Sequence, residues 1–138
     1  MTERLLLDTC ALIWIAADAQ IDSKATEVIE LARNAGQSLF VSPVSAWEVG
    51  ILVSNNRLPL TKPPMRWFSD FMSTDGVDLA PMSPGILVSS SFLPPPIHND
   101  PHDRILIATA REHDMTIVTR DSGIRTYAAA GHVRVLVC

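Results

Sequence analysis

Short apolar runs alternate along this chain with longer stretches of helical spacing, and that alternation restricts the fold more than any other feature. The pattern predicts strands over 4–8, 39–41, 77–80, 116–119 and 133–137. It predicts helices over 10–18, 23–35, 43–55, 64–74, 84–92, 101–113 and 122–130. Strands that alternate with helices pair in parallel, because a parallel neighbour is reached only through a crossover long enough to hold a helix. The expected class is therefore α/β, a small parallel sheet flanked by helices. Ser42-Pro43, Ser83-Pro84 and Asp100-Pro101 each set a capping side chain before a proline at the first helical position, which fixes helix starts better than helix ends. Leu93-Pro94-Pro95-Pro96-Ile97-His98 is stiff and extended, and it delivers the chain to Asp100 in a defined direction.

With 138 residues, 47% of them hydrophobic, the expectation is one domain over residues 1–138 that folds without disulfide or metal staples. No internal repeat or dividing linker is visible. Cys10 and Cys138 form neither a CxxC pair nor a disulfide framework, which fits a reducing, cytoplasmic setting. No stretch approaches the roughly 20 apolar residues of a membrane span, and Leu5-Leu6-Leu7 is too short a run for a signal peptide. A net charge of −4 is unlike the basic footprint of proteins that grip polynucleotides by bulk electrostatics. A polynucleotide would have to be held locally, by metal and a few arginines. Nine of the eleven basic residues are Arg, and Arg104, Arg111, Arg120 and Arg125 fall in the segment carrying the last two of four conspicuous acids. For Arg111 a solvated helix position paired with Glu112, Asp114 or Asp121 is the more ordinary reading.

Those four acids are Asp8, Glu48, Asp103 and Asp121. Asp8 closes the run Leu5-Leu6-Leu7 and opens a helix, so it can cap that helix or stand as an oxygen ligand for a hard cation at the carboxyl edge of the sheet. Glu48, at about 100° per residue, lies between Val44 and Leu52 on an apolar helix face, where a carboxylate is expected to need a metal, a cation or dense hydrogen bonding. A structural ion pair with arginine is the alternative. In Asp100-Pro101-His102-Asp103 the first acid reads as the cap and Asp103 as the third helical position, where a capping box would carry Glu or Gln. The apolar run that follows, Ile105 to Ala110, should anchor this helix firmly enough to mount a ligand. Asp121 ends another strand and opens another helix. Thr119, two residues earlier, should face the same way and hydrogen-bond a carboxylate or a bound water.

Other chemistries have thinner support. His98 and His102 are four apart but separated by a prolyl break, and no Cys or third His lies near them in sequence, so zinc is not favoured and a substrate-facing or capping role is more ordinary. Cys10, Ser45 and Ser83 have no histidine nearby and no GxSxG elbow, and no glycine-rich phosphate loop is present. Trp14, Trp47 and Trp67 read as core or interface residues. A phospho-acceptor domain would need a lysine at a late strand end, whereas Lys24 and Lys62 lie outside the strands.

With these residues assembled, the chain resembles the PIN-domain ribonucleases, and most of all the toxin components of VapBC-type toxin–antitoxin pairs. The motifs carrying the resemblance are Leu6-Leu7-Asp8-Thr9, Ser42-Pro43-Val44-Ser45-Ala46-Trp47-Glu48-Val49, Asp100-Pro101-His102-Asp103-Arg104-Ile105-Leu106-Ile107-Ala108 and Ile117-Val118-Thr119-Arg120-Asp121. The resemblance implies a three-layer α/β/α domain with an acidic site at Asp8, Glu48, Asp103 and Asp121, supported by Thr119 and Asp100. It further implies Mg²⁺ as cofactor with Mn²⁺ able to substitute, and hydrolysis of RNA leaving a 5′-phosphate and a 3′-hydroxyl. Arg104, Arg120 and Arg125 are the candidate substrate contacts. A cognate VapB-type antitoxin and a homodimer are the implied partners. Some relatives carry a further acid two positions after the one matching Asp121; here that position is Gly123, which disfavours a second metal. The competing reading is a catalytically silent PIN-like module that pairs with a protein or RNA.

Overall fold

The computed structural model of the protein describes residues 3–138; Met1 and Thr2, included in the expected single domain, lie outside the described residues. The strands are β1 (Leu5–Leu7), β2 (Leu39–Val41), β3 (Val77–Leu79), β4 (Thr116–Thr119) and β5 (Arg134–Val137). The helices are α1 (Thr9–Ala16), α2 (Ser23–Asn34), α3 (Pro43–Ser54), α4 (Pro64–Met72), α5 (Pro84–Ser89), α6 (Pro101–His113) and α7 (Ser122–Ala129). The expected elements are all present: β2, β4 and α6 keep the expected bounds, and the others are shorter by one or a few residues, mostly where helices end, with α1 starting one residue earlier. Those ends lack the serine–proline and aspartate–proline signals that mark several of the starts. No helix among the described residues is long and apolar enough to cross a membrane.

All strand pairings are parallel and the sheet order is β3-β2-β1-β4-β5. The chain builds outward from β1 through β2 to β3, then returns to the other side of β1 for β4 and β5. The order therefore reverses between β1 and β4, whose residues pair Leu5 with Thr116 and Leu7 with Val118. The connections leaving these two strands go to opposite faces. Ala11 and Leu12 of α1 join one apolar cluster, with Leu5, Leu7, Ile29, Val41 and Val118. Ile124 and Tyr127 of α7 join the other, with Leu6, Leu106, Ile107 and Ile117. The carboxyl ends of β1 and β4 thus lie side by side where the order reverses, the position where open α/β sheets collect ligands.

Side-chain alternation explains the three layers. Leu5 and Leu7 point to one face and Leu6 to the other, and all are fully buried, as the period of two requires for a central strand covered on both sides.

Candidate active site

Asp8 lies at the carboxyl end of β1 and is only 5% exposed. Both of its oxygens are engaged: Ala11 N–H donates to Oδ1 at 2.7 Å, the helix-capping bond, and the Thr119 hydroxyl donates to Oδ2. Capping and membership of the site are thus compatible. Burial raises the Asp8 carboxyl above its ordinary value, against the two donated bonds, and the charges of Asp121 and Glu48 raise it further. Thr119 Oγ1 also accepts from Asp121 N–H at 2.9 Å, so one fully buried hydroxyl joins the two strand ends. Thr119→Val keeps the shape and removes both bonds. We expect it to lower stability by about 1–3 kcal/mol, seen as a lower urea midpoint at unchanged slope.

Asp121 is exposed and caps α7, accepting from Ile124 N–H at 2.9 Å. Asp103 sits in the first turn of α6, where Asp100 accepts from the N–H groups of His102 and Asp103. Asp103 does not form the reciprocal half of a capping box. Its Oδ2 instead accepts from His98 Nε2 at 2.9 Å. Burial, and then the charges of Asp100 and Asp121, push the Asp103 carboxyl up to about 6 against the His98 bond. One donor atom each from His98, Asp103 and Asp121 lie within 4.8 Å of one another.

Glu48 departs from the sequence expectation. The buried residues of α3 are Val44, Ser45 and Val49, and Glu48 is half-buried beside them. Because α3 is apolar almost all round, its sequence spacing did not define which face would be covered. Among the described residues Glu48 makes no ion pair, so the structural pairing with arginine is not formed. Its charge nevertheless reaches the same region as the other acids. The Cys10 thiol is pushed up to about 11, first by desolvation and then by Asp8, Glu48, Asp103 and Asp121. Cys10 is exposed as a residue, so the four charges are the firmer cause, and they report one shared negative field. A thiol so placed is protonated at neutral pH and makes a poor nucleophile.

The arginines separate by role. Arg104 is held by main-chain carbonyls, donating from Nε to Ser90 at 2.9 Å and from a terminal nitrogen to His98 at 3.4 Å. It braces the segment leading into α6. Arg111 donates to the carbonyl of His132 at 2.6 Å, not to Glu112, Asp114 or Asp121, and Asp114 pairs with Arg134. Arg120 donates to the carbonyl of Cys138 and lies over the Trp14 ring, 3.8 Å from its centroid. Arg125 is exposed and shares a surface recess with Glu3, Thr116 and Arg134, by the amino end of β4 and away from the acids. Ser45 is fully buried and accepts from the Thr9 hydroxyl at 3.0 Å, which ties α1 to α3 and leaves it no nucleophilic role. Trp47 is 56% exposed rather than core, and its ring lies 4.5 Å from that of His102.

His98, which the sequence suggested as substrate-facing or capping, was not foreseen as a partner of Asp103. It lies five positions before Asp103, in the segment that enters α6, and its Nε2 reaches that carboxylate at 2.9 Å. The available signal was the glycine at 123, whose missing side chain leaves the ring its place: a Cβ there would stand 2.9 Å from His98 Cε1.

The PIN domain family model matches residues 5–130 of the chain. "Ribonuclease VapC22" of Mycobacterium tuberculosis is 29% identical over 124 residues, covering 89% of this chain and 91% of that protein. Two solved structures share the fold. The crystal structure of VapBC2 from Rickettsia felis, bound to a DNA fragment from its promoter, superposes with a TM-score of 0.67 at 16% identity, covering 96% of this chain and 97% of that one. FitAcB from Neisseria gonorrhoeae gives 0.53 at 19% identity, covering 96% of each chain.

Proposed function

This chain belongs to the PIN-domain family, and on that footing we propose that it is a divalent-metal-dependent endoribonuclease serving as the toxin of a VapBC-type toxin–antitoxin pair. The observation that carries the proposal is the linkage of Asp8 to Asp121 through Thr119 where the strand order reverses, with Asp103 close to Asp121 and the charge of Glu48 reaching Asp8. The kinship with a protein named as a ribonuclease supports the activity. The VapBC and FitAcB structures support the antitoxin.

The donor set suits a hard dication. The carboxylates lie close together, Asp8 and Asp103 hold their protons more tightly than usual, and no lysine or arginine pairs with the four acids among the described residues. Asp8, Asp103 and Asp121 are the residues that would hold the ion, Mg²⁺ with Mn²⁺ able to substitute. When bound, such an ion supplies charge stabilisation on a phosphate oxygen and a water of lowered pKa. The chain's own contribution is orientation. Thr119 and the Ala11 N–H hold Asp8 in one rotamer, and the anchored first turn of α6 holds Asp103. Glu48, half-buried and free of an ion pair, is placed to hold a water or accept a proton. Asp100 acts on Asp103 by capping the helix that carries it.

An exposed acidic rim also fits closure by a basic segment of an antitoxin, and we place the protein in the cytoplasm as a homodimer with that partner. Cleavage of a mixed RNA pool by purified protein in Mg²⁺, Mn²⁺ or EDTA tests the reading. We expect cleavage that requires metal and is lost in Asp8→Asn. Equal cleavage by wild type and variant would remove the assigned site, and a wild type that neither cleaves RNA nor binds millimolar Mg²⁺ would favour the silent module.

A further inference from the structure

Gly123 and His98 together point to a feature of this chain's site that a set of acids alone would lack. His98 comes from the extended segment before α6, and Gly123 from the first turn of α7. A Cβ at Gly123 would stand 2.9 Å from His98 Cε1, 3.0 Å from Nδ1 and 3.1 Å from Asp121 Oδ2. The first of these contacts is closer than a Cβ makes, so the ring would have to shift to admit one, and the imidazole occupies the space a side chain at position 123 would need, against Asp121. On its other side, Nε2 lies 2.9 Å from Asp103 Oδ2. Adjacent ligands of an octahedral dication at about 2.1 Å are about 3 Å apart, so this spacing also suits two donors to one ion. The ring is partly exposed.

Resting on the metal-dependent reading above, we propose that His98 enters the acidic site through the gap left by Gly123 and gives the bound dication a nitrogen donor, so that the site favours Mn²⁺ over Mg²⁺. Mg²⁺ prefers all-oxygen sites and parts with its waters reluctantly, whereas affinity for a site containing nitrogen rises along the first-row transition series. Gly123 is then a specificity-determining position, since any larger residue there displaces the ring.

Pulsed electron paramagnetic resonance of Mn²⁺ bound to the full-length protein tests this, because an imidazole donor leaves a ¹⁴N coupling that carboxylates and water do not. We expect the coupling in the wild type and in His102→Gln, and its loss in His98→Gln and in Gly123→Ala with Mn²⁺ still bound. Calorimetric titration of the same proteins should show Mn²⁺ affinity falling about tenfold or more in His98→Gln while Mg²⁺ affinity changes by less than about threefold. Bound Mn²⁺ without nitrogen coupling in the wild type, or coupling that survives His98→Gln, overturns the inference and leaves the nuclease reading in place. A wild type that binds Mg²⁺ but no Mn²⁺ overturns the inference alone, and one that binds neither overturns both.

Discussion

Asp103→Asn should raise the melting temperature of the metal-free protein at neutral pH and at the same time remove its nuclease activity. The carboxyl is held at about 6 in the folded chain against an ordinary 3.8, with burial as the first cause and the charges of Asp100 and Asp121 next. A folded state that binds the proton more tightly than the unfolded one is favoured at low pH. The advantage is complete below about pH 4, is lost as pH rises through about 6, and stays lost above. Each tenfold gain in proton affinity on folding corresponds to about 1.4 kcal/mol, so at pH 7 an ionised Asp103 costs on the order of 3 kcal/mol. Asparagine keeps a carbonyl for His98 and never ionises. The difference in melting temperature between variant and wild type should be near zero at pH 4, open between pH 4 and 6, and stay level to pH 8. Millimolar Mg²⁺ should narrow it, since the wild type alone keeps the full set of carboxylates. Cleavage should fall by a hundredfold or more, given that even a hydrogen-bond partner of a metal ligand is worth about 10–100-fold. A variant no more stable than wild type at pH 7 would show that Asp103 is not held against its charge.

Leu6→Ala should be the most damaging of the conservative changes, costing about 2–5 kcal/mol out of a total stability of about 5–15 kcal/mol. Leu6 is 0% exposed in the central strand and packs with Leu106, Ile107 and Ile117 beneath α6. Removing three carbons there leaves a cavity between sheet and helix that parallel neighbours on both sides of β1 prevent from closing. Because α6 carries Asp103, the loss should also weaken metal binding before the protein unfolds. Leu31→Ala, at a residue 56% exposed on α2, is the control and should change stability by less than about 0.5 kcal/mol. Urea denaturation of the two variants makes the comparison. Similar midpoints would mean that the core is not organised around β1.

Much of this molecule could be read from its order of residues. The alternation of short apolar runs with helical stretches determined the α/β class, and Ser42, Ser83, Asp100 and Asp121 each cap the helix that their neighbours announce. Thr119 was legible as a support because two residues along a strand return to the same face, and it bonds both Asp8 and the Asp121 N–H. These are local rules of period and capping, which act within a few residues. What lay beyond them depended on neighbours distant in the chain. The side chain of Glu48 could not be placed from α3 alone, since a helix apolar all round is oriented by what packs on it. Arg104 and Arg111 went to carbonyls of Ser90 and His132, choices that only the path of the connecting segments could make.

Elements, caps and the identity of the acids were thus already set by residue order, because hydrogen-bonded turns and alternating faces depend on adjacent residues. It took the packed chain to bring Asp8 and Asp121 together across the reversal between β1 and β4, and to put His98 in the space above Gly123 beside Asp103. Strand order follows from which apolar faces bury one another best, and that balance belongs to all the contacts of the folded chain at once.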